Sequence, residues 1–222
     1  MIAAKPDDAE AHYNLGTLYL QRNDVSTAQI ELTKAVELKP SHAQAWNNLG
    51  MIAAQEGRTD EAIRDFQKCL DISPDYATGL LNLGNLYRRE KQLSAAEQLL
   101  TRAQKIDPEN PEVNYSLAML YAQQNQIQNA ESSFDRALEL RPDYPDALNN
   151  YGVLLVREQR YADAEDKFRS CIQSNPNFDQ AYVNLARLYA LLNKKNEARE
   201  VLQSLLRLQP AHAVAQEMLK VL

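Results

Sequence analysis

The stretch that decides the fold runs from Ala43 to Tyr76 and reads AQAWNNLGMIAAQEGRTDEAIRDFQKCLDISPDY. It closes around Pro74, and proline recurs at Pro6, Pro40, Pro74, Pro108, Pro142, Pro176 and Pro210, each 34 residues after the last. Proline fixes φ, lacks a backbone donor and biases its predecessor away from helix, so each one ends a helical unit. The residues between two such stops hold two short helices and their turns. A fixed period of this size means one supersecondary unit copied along the chain, each copy burying its apolar face on its neighbours.

The remaining residues of the unit recur as strictly. With Ala43 as place one, place eight holds Gly16, Gly50, Gly84, Ala118, Gly152 and Ala186, after Leu15, Leu49, Leu83, Leu117, Tyr151 and Leu185. Glycine inside a helix costs about 1 kcal/mol relative to alanine, so four at one phase predict close approach of a second helix. Three residues on stand Tyr19, Tyr87, Tyr121 and Tyr189, with Ala53 and Leu155 in the other copies. In the second half, Ala28, Ala62, Ala96, Ala130, Ala164 and Ala198 are each followed four residues later by Leu32, Phe66, Leu100, Phe134, Phe168 or Leu202. Three further on come Ala35, Cys69, Ala103, Ala137, Cys171 and Leu205, which completes one stripe of a helix. Between the halves lie Asn23, Gly57, Asn125 and Asn193, suited to a left-handed turn, with Lys91 and Gln159 less suited at the same place.

An aromatic residue, then Leu-Gly, Tyr, Ala, Phe and Pro at these offsets is the tetratricopeptide pattern, and the chain resembles that family over nearly its whole length. Trp46 fills the first aromatic place in consensus form, whereas His12, Leu80, Asn114, Leu148 and Tyr182 depart from it. The resemblance implies an all-α, right-handed superhelical solenoid of antiparallel helix pairs. Six copies are expected at 9–42, 43–76, 77–110, 111–144, 145–178 and 179–212. Residues 1–8 match the end of a preceding repeat. Residues 213–222 match the first helix of a following one, with Lys220 where a small apolar residue would continue the stack, so a C-terminal capping helix is expected.

Composition narrows the function. A net charge of −6 argues against nucleic acid as partner. No run approaches the ~18 apolar residues of a membrane span, and no signal peptide opens the sequence, so no membrane contact by this segment and a cytoplasmic location are expected. Cys69 and Cys171 share one place three repeats apart, too far for a disulfide, and read as small buried thiols. His12, His42 and His212 occupy aromatic or end-of-repeat places and read as packing rings. Asp60, Glu61, Asp65, Glu131, Asp135, Asp163, Glu165 and Asp166 read as a solvated face of the second helices. No nucleophile–base spacing, phosphate loop or metal-ligand cluster stands out, so this segment is not expected to be an enzyme or to need a cofactor.

In the family the first helix of each repeat lines the inner groove, at places two, five, six, nine, twelve and thirteen. Place six holds Asn14, Asn48, Asn82, Asn150 and Asn184, interrupted by Ser116. Asparagine is a poor helix former, and its amide can donate and accept as a peptide backbone requires. Two readings stand: bonding between repeats, or contact with a ligand. The row resembles the asparagine array in the repeat region of O-GlcNAc transferase, which implies a grip on the main chain of an extended polypeptide. Places nine, twelve and thirteen add Asn85, Arg88, Arg89, Arg157 and Arg187 and no acid, which suggests an acidic ligand, although a solvated surface would look the same. Tyr13, Tyr115, Met51, Met119, Val153, Val156 and Leu191 supply apolar surface beside them. The lysine-and-arginine clamp that other such domains use on chaperone tails is missing, because place five is nowhere basic. The expected function is a protein-interaction scaffold for a peptide segment. The alternatives are a substrate-recognition arm of a larger enzyme such as a glycosyltransferase, or self-association through the N-terminal edge.

Overall fold

The structure, a computed structural model, describes residues 7–222, so most of the segment 1–8 lies outside the described residues. Among the described residues every regular element is helical. They form two compact units, divided between Glu109 and Asn110. The first holds α1 (Ala9–Gln21), α2 (Val25–Leu38), α3 (Ala43–Gln55), α4 (Thr59–Ile72), α5 (Ala77–Arg89) and α6 (Leu93–Ile106). The second holds α7 (Pro111–Gln123), α8 (Ile127–Leu140), α9 (Pro145–Arg157), α10 (Tyr161–Ser174), α11 (Asp179–Leu191), α12 (Lys195–Leu208) and α13 (Ala213–Val221). Within each unit every odd-numbered helix but α13 packs on the even-numbered one that follows, each such pair stacks on the next, and α13 packs on α12.

Backbone chemistry sets both kinds of turn. Asn23, Gly57, Lys91, Asn125, Gln159 and Asn193 all adopt positive φ, between 59° and 76°. The next residue's N–H returns to a carbonyl one turn back in the first helix, as from Asp24 to Tyr19 at 2.9 Å and from Arg160 to Leu155 at 2.9 Å. Orphan carbonyls at the helix end are thereby satisfied and the chain reverses. The comfortable residues there are glycine and asparagine; lysine and glutamine hold the same geometry at a cost. After the second helix, an extended residue precedes each proline, and a tight turn closes behind it. His42 N–H bonds Lys39 O at 3.0 Å, and Tyr76, Tyr144, Phe178 and His212 repeat this bond. Proline thus sits second in the turn, where its fixed φ fits and no donor is missed.

Packing within a pair explains the small residues of the first helix. A methyl group on Gly16, Gly50, Gly84 or Gly152 would lie 2.7, 2.8, 2.8 or 2.6 Å from the side chain of Leu32, Phe66, Leu100 or Phe168. Glycine lets the second helix drive its largest apolar side chain against the first helix's backbone. Phe66, Phe134 and Phe168 are fully buried, each worth about 1.5–3 kcal/mol relative to exposure. In the second unit Phe134 also stacks on Tyr151 of α9, with centroids 5.1 Å apart.

Two expectations change. Asp65 is only 8% exposed, not part of a solvated face. Several of the other acids are tied across neighbouring pairs, as Glu131 is to Arg160 at 2.6 Å and Glu165 to the Tyr189 hydroxyl at 2.8 Å. The histidines do more than pack. His42 and His212 cap α3 and α13, their Nδ1 atoms accepting the N–H groups of Ala45 and Ala215 at 3.4 and 3.2 Å.

Candidate functional site

In the first unit the asparagine row belongs to α1, α3 and α5. Asn14 is exposed, while Asn48 and Asn82 are half-buried because their amides join the helices to one another. Asn82 Nδ2 donates to Asn47 Oδ1 at 3.0 Å, Asn47 Nδ2 donates to Asn48 Oδ1 at 3.4 Å, and Asn48 Nδ2 reaches Thr17 Oγ1 at 3.5 Å. Amides therefore link α5 to α3 and α3 to α1. Asn47, only 2% exposed, is central to this and was not singled out from the sequence. The signal available was Asn149, which holds the same place three repeats on. Asn85 and Arg88 are half-buried on the same helix as Asn82, and Arg89 is exposed. Both arginines stand in the last turn of α5, where cations complement the helix dipole.

The second unit repeats the arrangement with different partners. Asn184 Nδ2 donates to Asn149 Oδ1 at 2.9 Å, and Asn149 is 2% exposed. Asn150 Nδ2 donates to the Tyr115 hydroxyl and to Asp146 O, both at 2.9 Å. The Tyr115 ring is wedged against Tyr144 at 5.1 Å and Phe134 at 6.3 Å, so its polar end alone reaches the α9 amide. Burial pushes the neighbouring Tyr144 phenol well above its ordinary range. Arg157 is engaged by the protein itself. Its guanidinium donates to Ala122 O and Asn125 Oδ1, each at 3.3 Å, and lies 3.6 Å from Glu158. Arg187, exposed on α11, has no such ties among the described residues.

The half-buried amides of the row thus serve as ties between helices, through their nitrogens. An amide carbonyl has two lone pairs, so a tied asparagine can still accept an N–H from a chain laid across it. Beside the amides, Met51 and Val153 are each 45% exposed and Leu191 61% exposed. Between α9 and α11, against Phe168 of α10, a recess of about 190 Å³ is lined by Val153, Val156, Asn184, Arg187, Leu188 and Leu191. Asn184 and Arg187 also border a second recess of about 310 Å³ towards His212 and Val214. The groups that carry nucleophilic or acid–base chemistry elsewhere are occupied here. Burial pushes the Cys69 thiol up to about 11 and the Cys171 thiol up to about 12, so neither is a thiolate at neutral pH. His12 is held by Glu31 at 2.6 Å, and His212 binds Asp179 through Nε2 at 3.1 Å.

Among the described residues no helix is long and apolar enough to cross a membrane. A family model described as the C-terminal domain of cilia and flagella-associated protein 70, itself of tetratricopeptide type, matches residues 2–151, and a tetratricopeptide-repeat model matches residues 155–222. No curated protein matches the chain. Among solved structures it is similar to PilF of Pseudomonas aeruginosa, with 26% identity and a TM-score of 0.79 over 95% of this chain and 96% of that one. PilW, a type IV pilus biogenesis factor, shares 21% identity with a TM-score of 0.87 over 95% of this chain and 98% of that one. YrrB, described as a repeat protein with an unusual peptide-binding site, shares 24% identity with a TM-score of 0.61 over 85% of this chain and 97% of that one. At these identities the last two speak for the fold alone. Helix pairs, left-handed turns, glycine contacts and matched models agree: the chain belongs to the tetratricopeptide-repeat family, whose fold serves as a scaffold for protein–protein interaction.

Proposed function

We propose that the chain holds an extended segment of another protein along the first-helix faces of its units. The observation that carries this reading is the row of half-buried asparagines on α3, α5, α9 and α11. Their nitrogens are fixed by bonds such as Asn82 to Asn47 and Asn184 to Asn149, which orient the amides in advance. Preorganised acceptors bind an extended backbone without the ordering cost of free side chains. Exposed apolar groups at Met51, Val153 and Leu191 stand beside them and supply side-chain contacts. The partner is a protein rather than nucleic acid, since the chain carries a net charge of −6. Two buried thiols fit a cytoplasmic setting.

A peptide array probed with the chain tests this, followed by the variant Asn48→Ala, Asn82→Ala and Asn150→Ala combined. Array peptides held by the wild-type chain should lose binding to the variant by about 0.5–1.5 kcal/mol for each hydrogen bond removed, with the helical spectrum retained. Unchanged retention by a folded variant would move the contact surface off the first-helix face.

A further inference from the structure

Of the basic side chains in the second unit, Arg187 is set apart. Arg141, Arg157, Arg160 and Arg169 engage carboxylates, and Arg136, Lys195 and Lys220 are likewise tied. Arg199 and Arg207 bond polar side chains, while Lys167 and Lys194 lie over aromatic rings. Among the described residues Arg187 alone of this set has neither a polar nor a ring partner. On one side its surroundings are mostly apolar: the recess of about 190 Å³ there is walled by Val153 and Val156 of α9, Phe168 of α10, and Leu188 and Leu191 of α11. No acid lines that recess. The volume is below the roughly 300–1,000 Å³ of sites that enclose a whole small molecule, so the recess suits a single side chain.

Building on the first-helix reading above, we propose that this recess between α9 and α11 anchors one aliphatic side chain of an acidic peptide, with a neighbouring carboxylate on Arg187. The physical case rests on complementarity. Val153 at 45% exposure and Leu191 at 61% gain by being covered, and only an apolar group does so without stranding a polar one. A carboxylate next to that group meets an arginine with no internal competitor, beside a water-excluding wall that strengthens the pairing. Asn184, tied through Nδ2 to Asn149, keeps its carbonyl for the N–H of the segment between anchor and acid. On the other side of Arg187, Asp179 is already engaged by His212 at 3.1 Å and makes no ion pair with Arg187.

The test uses fluorescence anisotropy with a fluorescein-tagged peptide of glycine and serine carrying a central Glu-Leu-Glu. The companion probes replace the leucine by alanine, or both glutamates by glutamine. The wild-type chain should bind the parent probe about tenfold more tightly than either companion. Added salt should weaken the parent probe and leave the glutamine probe nearly unchanged. Arg187→Gln should reduce the parent probe to the affinity of the glutamine probe without altering the latter, and Val153→Ser should erase the preference for leucine over alanine. Equal affinity for all three probes, no measurable binding of the parent, or indifference to Arg187→Gln overturns the inference. If array peptides are still lost in the asparagine variant, the wider first-helix reading survives that result, so the two claims fail separately.

Discussion

A methyl group placed on Gly84 would lie 2.8 Å from Leu100 Cγ and 2.9 Å from Cδ2, with Leu99 Cβ next at 3.5 Å. The nearest atom is the branch carbon of the fully buried Leu100, which must shift to admit a methyl; Ala118, at the equivalent place beside the fully buried Phe134, shows that the repeat can admit one. Gly84→Ala should therefore be tolerated. Gly84→Leu should overpack the contact and destabilise the protein by about 1–3 kcal/mol in urea denaturation; an unchanged midpoint would refute the packing account. The left-handed place makes the opposite prediction. Gln159 holds φ of 59° on an exposed turn, where a side chain costs about 1–2 kcal/mol. Gln159→Gly should stabilise by about 0.5–1 kcal/mol after glycine's entropic cost, measured in the same way. Both places were legible in the sequence, because a backbone requirement restricts residue type. Asp65 was not, since its place holds Glu31, Leu99, Ser133, Lys167 and Val201 in the other copies. Burial raises its carboxyl pKa, only partly opposed by Lys68 at 3.9 Å. Between the ordinary carboxylate value and that raised one the native state binds the extra proton, so stability rises as pH falls through the raised value. Ionised Asp65 is accordingly a cost at pH 7. Asp65→Asn should stabilise there, and the gain should shrink as the pH falls through the raised value and level off below about 3.9; a gain that ignores pH would contradict this.

At the scale of the helix, the asparagine row was legible and its purpose was not. The period exposed Asn14, Asn48, Asn82, Asn150 and Asn184 as a set. Their acceptors, Thr17, Asn47, Tyr115 and Asn149, form no row of one residue type, because neighbouring helices need only some acceptor at the right height. On helix propensity alone, replacing these asparagines by alanine would keep or raise stability. The bonds reverse that for the buried members. Asn82→Ala removes a bond to Asn47, which is 2% exposed, at about 0.5–1.5 kcal/mol. The propensity gain is at most about 0.7 kcal/mol, so a net loss is expected, with the orphaned Asn47 adding to it. Asn14, exposed on α1, should show the propensity gain instead. Denaturation of the two single variants should move in opposite directions. Arg157 carries the same lesson: chosen for a ligand by its place, it spends its donors on Ala122 and Asn125.

For the molecule as a whole, each helix pair leans on its neighbours in the repeat, so stability is a sum of local terms and the ends open first. Hydrogen exchange should show residues 9–42, at one end of the first unit, less protected than 43–76 at its centre, whereas equal protection would mean cooperativity beyond nearest neighbours. The 34-residue period made the fold readable before any contact was known. The partner is not readable in the same way, because a scaffold's specificity lies in exposed side chains that the period does not constrain. Nuclear magnetic resonance bears most directly on the central claim. The isotope-labelled chain would be titrated with a peptide recovered from the array, following backbone and asparagine side-chain amide signals. The account predicts shifts on α1, α3, α5, α7, α9 and α11, including the side-chain amides of Asn48, Asn82, Asn150 and Asn184. Shifts confined to α2, α4, α6, α8, α10 and α12 would contradict it.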